Sequence, residues 1–162
     1  MTPVPPSPGP LVPSDAVGAI LVTPDQRFLL QHRDDFPHIW YPGSWALFGG
    51  AIDPGENEDD ALRRELHEEL GFAVREAHVF TRFRFDFDFA GAGTCLRTVY
   101  EVPIRQADVA TMRLGEGREM RLVPADEALR LTPMTGYDHF ALYLYVHRAR
   151  IRPRHARGNT RG

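Results

Sequence analysis

Residues 50–72 read GAIDPGENEDDALRRELHEELGF. The stretch carries Glu65, Glu68 and Glu69 on a segment bounded by glycines. Positions i, i+3 and i+4 share one face of a helix. Three like charges on that face repel unless something positive lies between them. A hard divalent cation with oxygen ligands, Mg²⁺ or Mn²⁺, suits such a cluster. Spacing alone leaves a second reading open, a solvated acidic face.

The flanking residues mark out the helix. Asn57 is a good N-cap, and Asp60 stands three residues later, where a capping-box acid belongs. Glu58, Asp59 and Asp60 favour the positive end of the helix dipole. Ala61, Leu62, Leu66 and Leu70 recur at helical spacing and predict a buried face opposite the acidic one. Gly71 fits a left-handed terminus. Before the helix, Gly49-Gly50 and Pro54-Gly55 predict a compact loop.

Gly50, Glu56, Arg64, Glu65, Leu66, Glu68, Glu69, Gly71 and Phe72 fit the pattern G-x5-E-x7-R-E-U-x-E-E-x-G-U, U being bulky and apolar. In these residues the chain resembles the Nudix hydrolases. The resemblance implies an α+β chain folded as an α/β/α sandwich around a mixed sheet, covering roughly residues 15–149. It implies Mg²⁺ or Mn²⁺ as cofactor, with Glu65, Glu68 and Glu69 as ligands and Gly50 adding a backbone carbonyl. Arg64 would orient a glutamate, and Glu56 would orient Arg64 or support the metal shell. Glu65 or Glu68 from the helix, or a loop carboxylate, would serve the reaction. Glu65 is the first choice of base. Glu116, flanked by Gly115 and Gly117, is the distal choice and a further metal ligand, and Glu119 is a weaker one.

Substrate contacts are less defined. Trp40, Tyr41, Trp45 and Phe48 cluster before the motif, and an aromatic ring can stack on a base. Trp45 and Phe48 are taken as substrate-binding candidates, with core packing the competing role for one of them. Arg33 is a candidate phosphate contact. Phe48-Gly49-Gly50 replaces the Pro-Gly-Gly of many family members, and no subfamily mark appears over Phe85 to Phe89. The expected reaction is metal-dependent pyrophosphohydrolysis of a nucleoside diphosphate linked to another moiety, whether an NTP, a dNTP or a nucleotide sugar. A non-catalytic ligand-sensing domain is the alternative.

The whole chain is compatible with this. At 162 residues it reads as one domain. No apolar run approaches about 18 residues, and no signal peptide is apparent. One cysteine, Cys95, cannot form an internal disulfide and suits a cytoplasmic setting. All 19 basic residues are arginine, and six follow position 147. Residues 1–147 therefore hold 13 arginines against 22 acids, a net charge of −9. So acidic a body disfavours nucleic-acid binding. The expected partner is a nucleotide-type small molecule, with no membrane; a homodimer is a further option. Residues 1–13, with six prolines, read as a flexible arm, 14–149 as the domain, and 150–162 as an arginine-rich flexible tail.

Strands are expected over 15–23, 27–33, 45–48, 94–104 and 119–123. Val79, Phe83, Phe85, Phe87 and Phe89 alternate with polar residues, and the Phe83 to Phe89 stripe is expected to be core. Pro124 should open a short helix. A last helix over 135–149 should turn Phe140, Ala141, Leu144 and Tyr145 inward.

Overall fold

A run of small and branched apolar residues suits a strand covered on both faces, and Ala16–Val22 (β1) is buried at every position. Its side chains alternate between two cores. Val17, Ala19 and Leu21 join one; Ile20 and Val22 join the other. The computed structural model describes residues 13–151. All but the last residue of the proline-rich arm, and the tail from residue 152, lie outside the described residues.

The chain returns from β1 through Arg27–His32 (β2), antiparallel to it. Trp45–Ala46 (β3) follows, then the helix Glu58–Leu70 (α1), His78–Asp86 (β4), a single 3-10 turn Asp88–Ala90, and Thr94–Pro103 (β5). Gln106–Thr111 (α2), Glu119–Pro124 (β6), Ala125–Ala128 (α3), Gly136–Val146 (α4) and Arg148–Ile151 (α5) complete the order. The sheet runs β3-β2-β1-β5-β4, with β6 on β2. Among the strand pairs of the described residues only β1 and β5 run parallel, so the sheet is mixed.

Helices cover both faces. Ala61, Leu62, Leu66 and Leu70 of α1 pack on one side. Ala128 of α3 and Ala141, Leu142 and Tyr145 of α4 pack on the other. This is the α/β/α sandwich expected for an α+β chain. Among the described residues no helix is long and apolar enough to cross a membrane.

Three expectations need correction. The Phe83 to Phe89 stripe is only half covered, because β4 lies at the edge of the sheet. A bulge between Val79 and Thr81 shifts the alternation, so Val79 is 42% exposed while Phe80 packs against Tyr145. Phe87 is buried, and Phe89 is 81% exposed. In α4, Phe140 faces outward at 51% exposure, and Leu144 is half-buried. The fully buried positions include Leu142 and Asp138, which had been assigned no inward role. Finally, Arg150 and Ile151 close α5 instead of opening the tail. The short α2 was not foreseen, since none of its six residues is buried and it carries no apolar stripe.

Candidate active site

The helix is set by its ends. Asn57 Oδ1 accepts the Asp60 N–H at 2.9 Å. The expected reciprocal arm joins side chains instead, Asn57 Nδ2 donating to Asp60 Oδ2 at 2.6 Å. Gly71 takes the left-handed conformation at φ 63° and donates to the His67 carbonyl at 2.8 Å.

The acidic face does not simply point to water. Glu68 is exposed, Glu65 half-buried, and Glu69 only 4% exposed. Glu69 Oε2 accepts the Gly49 N–H at 2.8 Å. A Cβ on Gly50 would come within 2.6 Å of the Glu65 carboxylate, so a larger residue there would push that group aside. The Gly50 carbonyl already accepts the Val17 N–H at 2.9 Å, leaving one lone pair for a further ligand.

Glu116 arrives from the other side. The Gly115 N–H donates to the Glu69 carbonyl at 2.7 Å, pinning the loop to the end of α1. Gln31, buried on β2, donates through Nε2 to the Glu116 carbonyl at 3.0 Å and approaches Glu69 Oε1 at 3.4 Å. Glu65, Glu68, Glu69 and Glu116 therefore line one cleft of about 380 Å³, with Gly49 and Gly50.

Arg64 holds this wall together. Its guanidinium donates to both oxygens of Glu56 at 2.9 Å, to the Ala51 carbonyl at 2.9 Å, and to Glu65 Oε1 at 2.7 Å. It also reaches Glu68 Oε2 at 3.2 Å. Arg64 thus lies between Glu56 on one side and Glu65 on the other, bonded to both.

Charge crowding is visible in the acids. Burial pushes the Glu69 carboxyl up to about 8, and Glu65 and Glu116 add to the push, against the Gly49 N–H and Arg33. Burial likewise raises Glu65, with Arg64 opposing. These are carboxylates that a cation would keep ionised. As the side chains stand, no group of three His, Cys, Asp or Glu among the described residues converges tightly enough to hold a metal. Arg64 Nη1 instead bridges Glu65 and Glu68. The donor set is nonetheless all oxygen, and it crowds acids around a buried carboxylate. It fits a hard divalent cation.

The other end of the cleft is aromatic and basic. Trp40 and Phe87 pack together at 5.0 Å between centroids, tilted by 39°, and Phe87 neighbours Tyr137 at 6.4 Å. Arg33 lines the cleft and donates through Nε to the Trp40 carbonyl at 3.0 Å. Arg97 is only 8% exposed and pairs with the buried Asp138 at 3.0 Å. Asp138 also accepts the Leu47 N–H at 3.1 Å.

Two proposed substrate contacts move elsewhere. Trp45 is 6% exposed in the core, stacked on His32 at 4.7 Å with Arg121 over its ring. Phe48 is fully buried against α1. Neither lines the cleft, because both strand faces here are covered. Glu119 pairs with Arg121 at 2.8 Å and is likewise not among the cleft residues. Arg97, Tyr137 and Asp138 were missed. The available signals were an arginine two residues before Val99 on a buried strand and an aspartate on the inner side of α4.

A family model described as the NUDIX domain matches residues 12–144. The chain belongs to this family. Over 51 residues it is 49% identical to the nucleoside triphosphatase NudI of Escherichia fergusonii. That match spans 32% of this chain and 36% of the relative, so only about a third of the relative's length is covered. A MutT NUDIX hydrolase from Burkholderia pseudomallei is 26% identical at a TM-score of 0.66, over 80% of this chain and 95% of that one. The MutT protein of Methanosarcina mazei Go1 superposes at a TM-score of 0.70 over 84% of this chain and 94% of that one. At 20% identity, that likeness speaks for the fold alone.

Proposed function

We propose that this NUDIX domain hydrolyses a phosphoanhydride bond of a nucleoside diphosphate linked to another moiety, with Mg²⁺ or Mn²⁺ as cofactor. The observation that carries this reading is a single cleft lined by Glu65, Glu68, Glu69 and Glu116 with Gly49 and Gly50, in which Arg64 holds the Glu65 carboxylate and Gly49 the Glu69 carboxylate. The partial likeness to a nucleoside triphosphatase favours NTPs or dNTPs over nucleotide sugars.

Glu65, Glu68, Glu69, Glu116 and the Gly50 carbonyl would hold the cation. When bound, it supplies charge neutralisation on phosphate oxygens and acidifies water. The chain's own part is orientation. Arg64 fixes the Glu65 carboxylate through a 2.7 Å bond, so that Glu65 can take a proton from the attacking water. Arg33, held by the Trp40 carbonyl, offers its remaining N–H groups to a phosphate. Water adds across the P–O–P linkage, giving two phosphate products.

A panel of NTPs, dNTPs and nucleotide sugars with Mg²⁺, resolved by product chromatography, tests this. The expected result is cleavage of at least one class into a nucleoside monophosphate and a second phosphate. Binding of the same nucleotides without cleavage would replace the reading with a ligand-sensing domain. An intact set of carboxylates argues against that alternative, since sensing does not require all of them.

A further inference from the structure

The cleft has two poles, and only one of them concerns phosphates. At the far pole the Arg97 guanidinium lies 4.4 Å over the Tyr137 ring. Asp138 takes its Nη2, while its buried Nε–H finds no acceptor. An unmet N–H on a buried cation is costly and unusual. Gly18 of β1 lies against the group, a Cβ there standing in ordinary contact at 3.6 Å from Nη2 and 3.7 Å from Nε. Arg97 thus lines the cleft beside Trp40 and Phe87 with Asp138 bonded to only one of its nitrogens, while its unpaired Nε stays buried.

Charge decides what could use it. Asp138 already offsets the Arg97 charge at 3.0 Å, so a second anion would meet a carboxylate as well as a guanidinium. A neutral acceptor meets no such opposition. Arg33 is better placed for phosphates, because it lines the same cleft as the acids with only its Nε committed, to the Trp40 carbonyl. Guanidinium offers donors only. Aromatic faces accept any planar ring, so stacking alone would not discriminate between bases.

We propose that Trp40, Phe87 and Tyr137 hold a planar heterocycle, and that Arg97 selects rings presenting an oxo acceptor, a 6-oxopurine or a 4-oxopyrimidine. Guanine and uracil or thymine carry such an edge; adenine and cytosine present an amino donor there. The inference rests on the nucleotide-hydrolase reading and adds base selection to it.

The test is binding of the four α,β-methylene ribonucleoside triphosphates to the full chain with Mg²⁺, measured by calorimetry. The guanine and uracil analogues should bind at least ~5-fold tighter than the adenine and cytosine ones. Arg97→Lys keeps a charge beside Asp138 but loses the fork, and should abolish the preference while leaving adenine binding near its original level. The chain has two tryptophans, so Trp45→Phe leaves Trp40 as the sole fluorophore, and its emission should quench on binding. Equal affinity for all four bases would overturn the proposal. So would a preference that survives Arg97→Lys, or binding without quenching. If Arg97→Lys fails to fold, the wild-type preference and the Trp40 signal decide. Hydrolysis of all four nucleotides at equal rates would sink base selection and leave the hydrolase reading standing; no binding of any would remove both.

Discussion

Gly115→Ala probes whether Glu116 belongs to the reaction. Gly115 is absent from the residues with positive φ, so alanine adds no backbone strain. What it adds is a methyl group 2.5 Å from the Glu68 carbonyl oxygen. Ordinary contact begins near 3.4 Å, so the loop must retreat by about 0.9 Å, the difference between the two. The retreat stretches the 2.7 Å bond from the Gly115 N–H to Glu69 and carries Glu116 with it. Overpacking of this kind costs roughly 1–3 kcal/mol of stability. A misplacement near 1 Å at a reacting centre costs on the order of 10² in rate. Steady-state kcat at saturating Mg²⁺ should therefore fall about a hundredfold, while thermal melting still shows a folded protein. Glu116→Gln alone should lower kcat, and the double variant should be no worse than the more damaging single. A wild-type kcat in Gly115→Ala, or losses that simply multiply in the double variant, would refute the reasoning and leave Glu116 a solvated turn acid.

Other outcomes follow from the same geometry. Excess chelator should abolish turnover, and adding back Mg²⁺ should restore it and raise the melting temperature, because a cation that binds only the folded cluster stabilises it; full activity in chelator would contradict the cofactor assignment. Glu65→Gln and Glu69→Gln should each lower kcat by at least ~10², and a near-wild-type rate in either would remove it from the site. Asp138→Ala leaves the buried Arg97 guanidinium without its partner and should cost about 3–5 kcal/mol in denaturant unfolding. A loss well below that would mean water reaches Arg97 freely.

What could be read from the sequence was local. Asn57 and Gly71 bracket α1 through their own hydrogen bonds, and the leucines at 62, 66 and 70 fix its buried face. Glu65, Glu68 and Glu69 follow from that register. Glu116 could be named because its glycines permit close approach, as Gly115 demonstrates. Distant pairings were opaque. Arg97 and Asp138 lie 41 residues apart and meet only because β5 runs parallel to β1, with α4 laid over that face. Trp45 and Phe48 show a related limit. Proximity to the motif in sequence says nothing about which side of a strand looks into the cleft. Periodicity failed at β4 for a third reason: alternation tells which residues share a face, but neither the bulge nor the missing neighbour beyond the edge leaves a mark in it.

That edge has a consequence for how copies of the chain meet. Among the described residues, β4 offers nine residues of strand with no neighbour on one side. Such an edge is open to continuation by another molecule. Arg82 and Arg84 stand exposed along it. Arg82 is paired with Glu58 at 2.6 Å, but two copies meeting antiparallel about an axis through residue 84 would set Arg84 against Arg84. Like charges directly opposed across strands repel, and the bulge at Val79/Thr81 bends the strand away from a flat match. Phe87, which lines the cleft, is thus carried on a hairpin whose edge strand resists continuation by a second copy.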